Sequence, residues 1–256
     1  HCPILPSNPL PVARLFLSPI AHLGSFALPS FFCSAMALLY NLHPQNPQPR
    51  TVEMIRDALR NGAVMLYPTD TVYAIGCDLN SKHGIQRVRQ IKQLANDKPL
   101  TFLCPSLSNI AHYAVVNDTA YRIMRRLIPG PYTFLLPTTK LVPKLVMNPK
   151  RRTTGIRVPD HPISLALLNA LENPIISTSA HVLEDEDGRP TVSPNQPGSR
   201  FELFDSLDKL VDVIVDSGEE PGLQVSTILD LSAEEPIVVR RGLGWEEAAT
   251  WVVEAG

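Results

Sequence analysis

Two threonine hydroxyls follow directly after a short apolar segment of the chain. Residues 63–67 read Ala-Val-Met-Leu-Tyr, which is typical of a buried strand, and Pro68 must end that strand because proline has no N–H to donate to a ladder. Thr69 and Thr71 would then lie at the carboxyl end of the strand, where open α/β sheets bind their ligands. The segment therefore offers a rigid site for a polar ligand, although an ordinary turn after a strand would look the same.

Cations and hydroxyls recur at the ends of other expected strands. They are Lys92, Lys98, Arg157, Ser177–Ser179, Ser226 with Thr227, and Arg240. Taken singly, each has a structural explanation: a surface lysine is solvated, a serine forms a turn, and Arg157 can pair with Asp160. The sequence contains no GxxxxGK[ST], GxGxxG, HExxH or GxSxG motif. A nucleotide would therefore have to be held by dispersed groups of this kind.

Helical and strand patterns alternate from residue 51 onward. The predicted helices begin at Thr51, include residues 85–94, begin at Asn117 or Asp118, and run from His161 to Leu171. The predicted strands span residues 63–67, 100–104, 132–136, 154–158, 175–178, 211–215, 227–231 and 237–240. The acidic stretch 184–188, with prolines after it, predicts a mobile loop. Short connections between alternating elements indicate an α/β or mixed α+β sheet in one domain.

Residues 1–35 differ from the remainder of the chain. They contain six prolines, a single arginine and no acid, and the chain begins with His rather than Met. We expect a disordered or spurious extension here; the alternative is a secretory signal with a processing site at residues 35–37. No apolar run approaches the roughly 20 residues that span a bilayer. We expect residues 45–245 to form the domain, residues 246–256 to form a tail, and the protein to be cytoplasmic.

The formal net charge of -2 conceals a segregation of charge. Residues 117–160 carry nine Lys/Arg against two acids, and residues 172–235 carry three Lys/Arg against fifteen acids. This pattern favours a positive face for phosphates or nucleic acid opposite an acidic face, or else two solvated surfaces.

The four cysteines, at positions 2, 33, 77 and 104, form no CxxC pair and no metal-ligand spacing. We therefore expect Cys77 and Cys104 to be reduced, structural thiols rather than part of a disulfide framework.

Taken together, the segments resemble the YrdC-like threonylcarbamoyl-AMP synthase family, and its YciO-like branch in particular. The resemblance covers about residues 45–245. It rests on Thr69–Gly76, Lys92 with Lys98–Leu100, Pro129–Thr133, Arg157–Pro162, Ser177–Ala180, Val225–Leu231 and Val239–Gly242, in that order. It implies a twisted, mostly parallel open sheet flanked by helices, with a large concave cleft.

The family reaction joins L-threonine, bicarbonate and ATP to give threonylcarbamoyl-AMP and pyrophosphate, for tRNA threonylcarbamoyladenosine modification by other proteins. This is adenylyl transfer, in which the protein mainly positions reactants and stabilises charge. Mg²⁺ would share the charge of the leaving pyrophosphate with lysine and arginine side chains. The resemblance thus implies ATP as a substrate, Mg²⁺ as a cofactor, no metal ligands in the protein, tRNA and tRNA-modification proteins as partners, and no membrane.

The resemblance also assigns roles to individual residues. The catalytic positions of the family correspond to Lys92, Lys98 and Arg157. The substrate-binding positions correspond to Thr69, Thr71, Tyr73, Thr133 and Ser177. The ATP-binding positions correspond to Ser179, His181, Ser226 and Arg240.

Three residues depart from the family pattern. Leu94 stands where the family has Arg, His181 where it has Asn, and Ala74 where it has Gly. Losing a charge-assisted contact at position 94 would cost about 1.5–3 kcal/mol, or roughly tenfold to a hundredfold in rate. The departures predict weak synthase activity or none.

The alternative hypothesis is therefore a YciO-type protein that binds double-stranded or otherwise folded RNA. Its basis is the set of cations at positions 122, 125, 126 and 150–152. RNA recognised by shape suits this set better than single strands, because aromatic stacking platforms are not evident.

Overall fold

Ten strands form one continuous sheet in the computed structural model, which describes residues 36–94, 98–180, 183–184, 190–191 and 199–252. The strands in chain order are β1 (Leu38–Asn41), β2 (Met65–Tyr67), β3 (Ala74–Asp78), β4 (Thr101–Leu103), β5 (Tyr132–Pro137), β6 (Thr153–Arg157), β7 (Ile175–Ser179), β8 (Leu183–Glu184), β9 (Pro190–Thr191), β10 (Val213–Asp216), β11 (Thr227–Asp230) and β12 (Ile237–Arg240). The short strands β8 and β9 pair with each other and not with the large sheet.

Across the large sheet the strand order is β1-β10-β2-β3-β7-β4-β6-β5-β11-β12. The pairs β1–β10, β10–β2, β4–β6 and β5–β11 are parallel, and the other five neighbouring pairs are antiparallel. The strand directions are therefore mixed. One reason is that β2 and β3 are joined by residues 68–73 alone, too few for the crossover that a parallel pair requires.

Helices cover the sheet on both faces. They are α1 (Pro49–Arg60), α2 (Lys82–Ile91), α3 (Leu107–Tyr113), α4 (Asp118–Leu127), α5 (Pro162–Leu171), α6 (Arg200–Leu207) and α7 (Trp245–Ala249). Successive strand residues point to opposite faces, so Met65 and Tyr67 pack with α1 and α5, whereas Leu66 packs in the core that contains residues of α2, α4 and α6. The predicted α/β sheet flanked by helices is confirmed.

Two helices, α4 and α5, begin at the residues that the sequence indicated. Asn117 caps α4 by accepting the Ala120 N–H, and His161 caps α5 by accepting the Ser164 N–H. The prediction that the first helix begins at Thr51 is wrong: α1 begins at Pro49, after Gln48. Proline is favoured in the first turn because the missing N–H would have no partner there.

The end of the described chain packs against the core. Most of α7 comes after the predicted domain in the chain. Ala248 and Val252 are buried in the core that also contains residues of α2 and α4. Part of the predicted tail at 246–256 thus packs in the core, through Ala248 and Val252.

Two expectations lie outside the described residues: the extension at 1–35 and most of the loop at 184–188. In the described part of the chain, no helix combines the length and apolarity that crossing a bilayer requires. Cys77 and Cys104 are buried and not bonded to each other, as expected for structural thiols.

Candidate active site

A cleft of about 750 Å³ opens on the face of the sheet that also carries α1 and α5. Its floor is a row of residues in register across four strands. Thr101 on β4 lies opposite Ser177 on β7 and Gly155 on β6, and Gly155 lies opposite Leu135 on β5. Because alternate residues of a strand share a face, the neighbouring positions two residues along also face the cleft.

Gly155 keeps the floor of the cleft open. A Cβ atom at this position would lie 2.5 Å from Thr101 Oγ1 and 3.1 Å from Thr133 Cγ2. The side chains of Thr101 and Thr133 therefore occupy the space above Gly155, and glycine is required there for this close packing.

Arg157, at the end of β6, is held by three contacts. Its Nη2 donates to Asp70 Oδ1 at 2.5 Å, its Nη1 to Thr71 Oγ1 at 2.9 Å, and its Nε to the Gly130 carbonyl at 3.3 Å. The Arg157 and Asp70 side chains are only 7% and 11% exposed. The alternative pairing of Arg157 with Asp160 is wrong: Asp160 is exposed and does not take part.

The Thr69–Thr71 turn is stabilised by its own hydroxyls. Thr69 Oγ1 donates to the Val72 carbonyl at 2.7 Å, accepts the Thr71 N–H at 3.2 Å, and lies 3.1 Å from Thr71 Oγ1. Ser164 of α5 donates to the Pro68 carbonyl at 2.8 Å. The turn is therefore fixed before any ligand binds, and both threonine side chains line the cleft.

A second cluster of hydroxyls and a cation lies at the start of β5 and β11 and the end of β12. Thr133 Oγ1 and Ser226 Oγ lie 2.9 Å apart. Arg240 donates through Nε to the Ser226 carbonyl at 3.0 Å and through Nη2 to Ser226 Oγ at 3.2 Å. An anionic ligand in the cleft would thus meet a second guanidinium, that of Arg240, in addition to Arg157.

The segment between β10 and β11, residues 217–226, passes close to the Thr69–Thr71 turn. A Cβ atom on Gly222 would collide with the Thr71 carbonyl oxygen, so only glycine permits this approach. The same segment leads into Val225 and Ser226, which line the cleft.

Tyr67 lies beneath the cleft with its hydroxyl completely buried. Burial raises the pKa of Tyr67, and the neighbouring Ser177 hydroxyl opposes this shift. No partner among the described residues reaches the Tyr67 hydroxyl at hydrogen-bonding geometry. Tyr67 is therefore a neutral phenol below the serine that faces the cleft.

The structure brings nine of the twelve sequence-predicted site residues together in this cleft. They are Thr69, Thr71, Lys98, Thr133, Arg157, Ser177, Ser179, Ser226 and Arg240. Ala74 and Leu94, where the sequence departs from the family pattern, also line the cleft. His181 lies outside the described residues.

Tyr73 and Lys92 do not line the cleft. Tyr73 precedes Ala74 in extended backbone, so the two side chains point to opposite faces. The Tyr73 ring packs edge-on against Phe204, and its hydroxyl lies 3.2 Å from that of Ser217. Lys92 forms the C-cap of α2.

Sequence reasoning missed Asp70, Thr101, Asn148 and Gly155. Thr101, Asn148 and Gly155 line the cleft, and Asp70 lies behind Arg157. The signal for Gly155 was a glycine in a predicted strand, which often marks a close approach of the backbone to a ligand. Asp70 could have been found because it is an acid between Thr69 and Thr71, both of which were already candidate site residues.

The basic segment 117–160 is divided between the two faces of the sheet. Helix α4 packs its apolar side on the face opposite the cleft, leaving Arg122 and Arg125 exposed, while Arg126 stacks at 4.1 Å on Trp251. These arginines border a groove of about 1080 Å³. Lys150 lies near the cleft instead. Its backbone N–H donates to Asn148 Oδ1, and Asn148 lines the cleft.

A family model named Sua5_yciO_yrdC and described as "Telomere recombination" matches residues 57–242 of the chain. The uncharacterized protein YciO of Escherichia coli K12 is 38% identical over 215 residues, covering 82% of this chain and 97% of that protein. The crystal structure of E. coli YciO superposes with a TM-score of 0.73 at 37% identity, with the same coverage.

A threonylcarbamoyl-AMP synthase of Pyrococcus abyssi is 28% identical over 185 residues, covering 72% of this chain and 52% of that protein. The crystal structure of P. abyssi Sua5 complexed with L-threonine superposes with a TM-score of 0.73 at 24% identity. It covers 84% of this chain and 61% of its own, and at this identity the likeness concerns the fold.

Proposed function

The chain belongs to the Sua5/YciO/YrdC family, and from that premise we propose that it is an L-threonylcarbamoyladenylate synthase. The threonine amine and bicarbonate would first form a carbamate with loss of water, and the carbamate would react with ATP to give threonylcarbamoyl-AMP and pyrophosphate. The product would supply tRNA modification by other proteins. The observation that carries the proposal is the convergence of nine hydroxyl and cationic side chains, from distant parts of the chain, on one cleft.

The proposed step is nucleophilic substitution at phosphorus. A carboxylate oxygen of the threonine carbamate forms a bond to the α-phosphorus of ATP. The bond from that phosphorus to the bridging oxygen breaks, and pyrophosphate leaves with the electron pair. Negative charge grows on the leaving group, so fixed guanidinium and ammonium groups stabilise the transition state more than the ground state.

The cleft suits this chemistry in its size and polarity. Its volume of about 750 Å³ falls in the range of small-molecule sites. Three cationic side chains line it: Lys98, Arg157 and Arg240. Such cations hold phosphate and carboxylate oxygens by charge-assisted hydrogen bonds.

Mg²⁺ would accompany the triphosphate rather than occupy a site built by the protein. Among the described residues that line the cleft there is no carboxylate, and the described chain contains no group of three potential metal ligands. These residues therefore do not form a binding site for a resident metal ion. The negative charge of the phosphates would be neutralised by Lys98, Arg157 and Arg240.

The test is release of pyrophosphate from ATP in the presence of L-threonine and bicarbonate. We expect release that requires both, and that falls in Arg157→Ala. Arg87→Ala is the matched control, because Arg87 forms an ion pair with Asp212 and does not line the cleft. Release of pyrophosphate that does not require threonine or bicarbonate, or that is equal in wild type and Arg157→Ala, would contradict the proposal.

Folded RNA binding is the second candidate, favoured by the exposed arginines on the outer side of α4. Affinity for a short RNA duplex would fall steeply with salt, because neutralised phosphates release counterions. The variant Arg122→Ser with Arg125→Ser tests the α4 surface, and Lys150→Ser with Arg152→Ser tests the exposed basic segment before β6. Affinity that is indifferent to ionic strength and unchanged in both variants would reject this candidate.

A further inference from the structure

Asp70 lies behind Arg157, which lines the cleft. Its side chain is 11% exposed and does not line the cleft, whereas Arg157 does. One carboxylate oxygen, Oδ1, accepts from Arg157 Nη2 at 2.5 Å. The other, Oδ2, is buried and has no hydrogen-bond partner in the described part of the chain.

The three contacts of Arg157 leave part of its guanidinium available. A guanidinium has five N–H groups, and here Nε, Nη1 and Nη2 each use one, on Gly130, Thr71 and Asp70 respectively. One N–H remains on each Nη nitrogen. Because the guanidinium is planar, fixing three of its N–H groups also fixes the direction of the other two.

Asp70 is the charged member of this set of acceptors. Thr71 Oγ1 and the Gly130 carbonyl are neutral, and a hydrogen bond between two ions is stronger than one with a neutral partner. Since both side chains are nearly buried, their attraction is screened far less than that of a surface pair. Asp70 is therefore the group best able to hold the orientation of Arg157.

We propose that Asp70 is a positioning residue, which fixes the Arg157 guanidinium so that two N–H groups face the anionic group of a ligand in the cleft. The effect on catalysis rests on the proposed function. The orientation of Arg157 does not, and it can be measured without any ligand.

The first experiment is solution NMR of the full chain labelled with ¹⁵N in its arginine guanidinium groups. The Arg157 signals are assigned as those that vanish in Arg157→Lys. We expect separate, slowly exchanging Nη signals for Arg157 in wild type, coalescence in Asp70→Ala, and no change in Asp160→Ala. Asp160 is the matched control because it is a carboxylate three residues from Arg157 that is exposed and does not pair with it.

Asp70→Asn and Asp70→Glu provide the same test if Asp70→Ala does not fold. The asparagine keeps an acceptor without charge and should give faster exchange at Arg157 than wild type. The glutamate keeps the charge and should restore slower exchange than the asparagine. Averaged Arg157 signals in wild type, or slow exchange that persists in the folded Asp70 variants, would overturn the proposal.

The second experiment is a double-mutant cycle read by the rate of pyrophosphate release. If Asp70 acts through Arg157, Asp70→Asn lowers kcat roughly tenfold in the wild-type background and has no further effect in Arg157→Ala. Additive losses would overturn the positioning role. Absence of threonine-dependent release in wild type, with the NMR result as expected, would instead reject the proposed function alone.

Discussion

Thr133 and Ser226 bring their hydroxyl oxygens to 2.9 Å from each other, although 93 residues separate them in the chain. The parallel pairing of β5 with β11 makes this contact possible, because it places Thr133 opposite Ile228, two residues beyond Ser226. Arg240 then donates to the Ser226 side chain and carbonyl. The rim of the cleft is therefore one connected set of polar groups.

Ser226→Ala removes an acceptor from Arg240 and a partner from Thr133. We expect the affinity for ATP to fall roughly tenfold, since a hydrogen bond to a charged group contributes about 1.5–3 kcal/mol. Titration calorimetry with ATP measures this. Ser206→Ala is the control, because Ser206 donates only within α6, to the Leu203 carbonyl. Equal affinity in Ser226→Ala and wild type would argue against a role for this rim.

Gly155→Ala would place a methyl group on the floor of the cleft, 2.5 Å from Thr101 Oγ1. Overpacking of this kind costs about 1–3 kcal/mol, so we expect lower stability towards urea and weaker ATP binding. Adding Thr101→Ala removes the nearest atom and should recover part of both losses. If the double variant is no more stable and binds ATP no more tightly than Gly155→Ala, the contact with Thr101 Oγ1 is not the cause of the losses.

Leu94→Arg restores the cation that the family pattern has at this position. Leu94 is half-buried and lines the cleft, so an arginine there can reach a bound phosphate. We expect threonine-dependent release of pyrophosphate to rise roughly tenfold to a hundredfold. Gln90→Arg, an exposed position on α2 outside the cleft, adds the same charge and should leave the rate unchanged. An equal gain in both variants would indicate a general effect of charge.

His161 gives stability a specific dependence on pH. Burial lowers the pKa of His161 from its ordinary 6.5, and nearby Asp70, Glu219 and Asp160 only partly offset this. The unfolded chain therefore binds a proton more readily than the folded one, and the free energy of unfolding falls as the pH drops through 6.5. Protonation of Nδ1 would also remove the acceptor for the Ser164 N–H.

His161→Asn keeps a good N-cap and removes the titrating ring. We expect urea unfolding to show a smaller loss of stability between about pH 7 and pH 5 than in wild type. His83→Asn, at an exposed position on α2, serves as the control. If the wild-type slope persists in His161→Asn, another group is responsible for the pH dependence.

Cys77 and Cys104 should be unreactive in the folded protein. Burial raises the pKa of each thiol to about 12, so almost no thiolate exists near pH 8. With Cys2 and Cys33 replaced by serine, a disulfide reagent should modify the remaining two cysteines only on unfolding. Modification within minutes in native buffer would contradict the burial of these thiols.

The elements that sequence patterns predicted well are those whose signals are local. The end of β2 before Pro68, the start of α4 at Asn117 or Asp118 and the start of α5 at His161 each depend on residues within one turn. Strand β3 was missed because its residues were interpreted as part of a hydroxyl-rich turn. All of them are buried, so its sequence lacks the alternation of a half-exposed strand. That error also misplaced Tyr73, whose direction follows from the strand.

The contacts that define the site could not be predicted in the same way. The pair Asp70–Arg157 spans 87 residues and depends on the strand order of the folded sheet. Asp160 was the nearer acid in the sequence, but after β6 the chain turns into α5. Similarly, net charge along residues 117–160 gave no indication that α4 lies on the face opposite the cleft.

The most direct test is incorporation of ¹³C-bicarbonate into a nucleotide product, followed by mass spectrometry. The protein is incubated with ATP, L-threonine and labelled bicarbonate. We expect a labelled species with the mass of threonylcarbamoyl-AMP, which forms in wild type and is strongly reduced in Arg157→Ala. Absence of labelled product from wild-type protein that still binds ATP would contradict the proposed function.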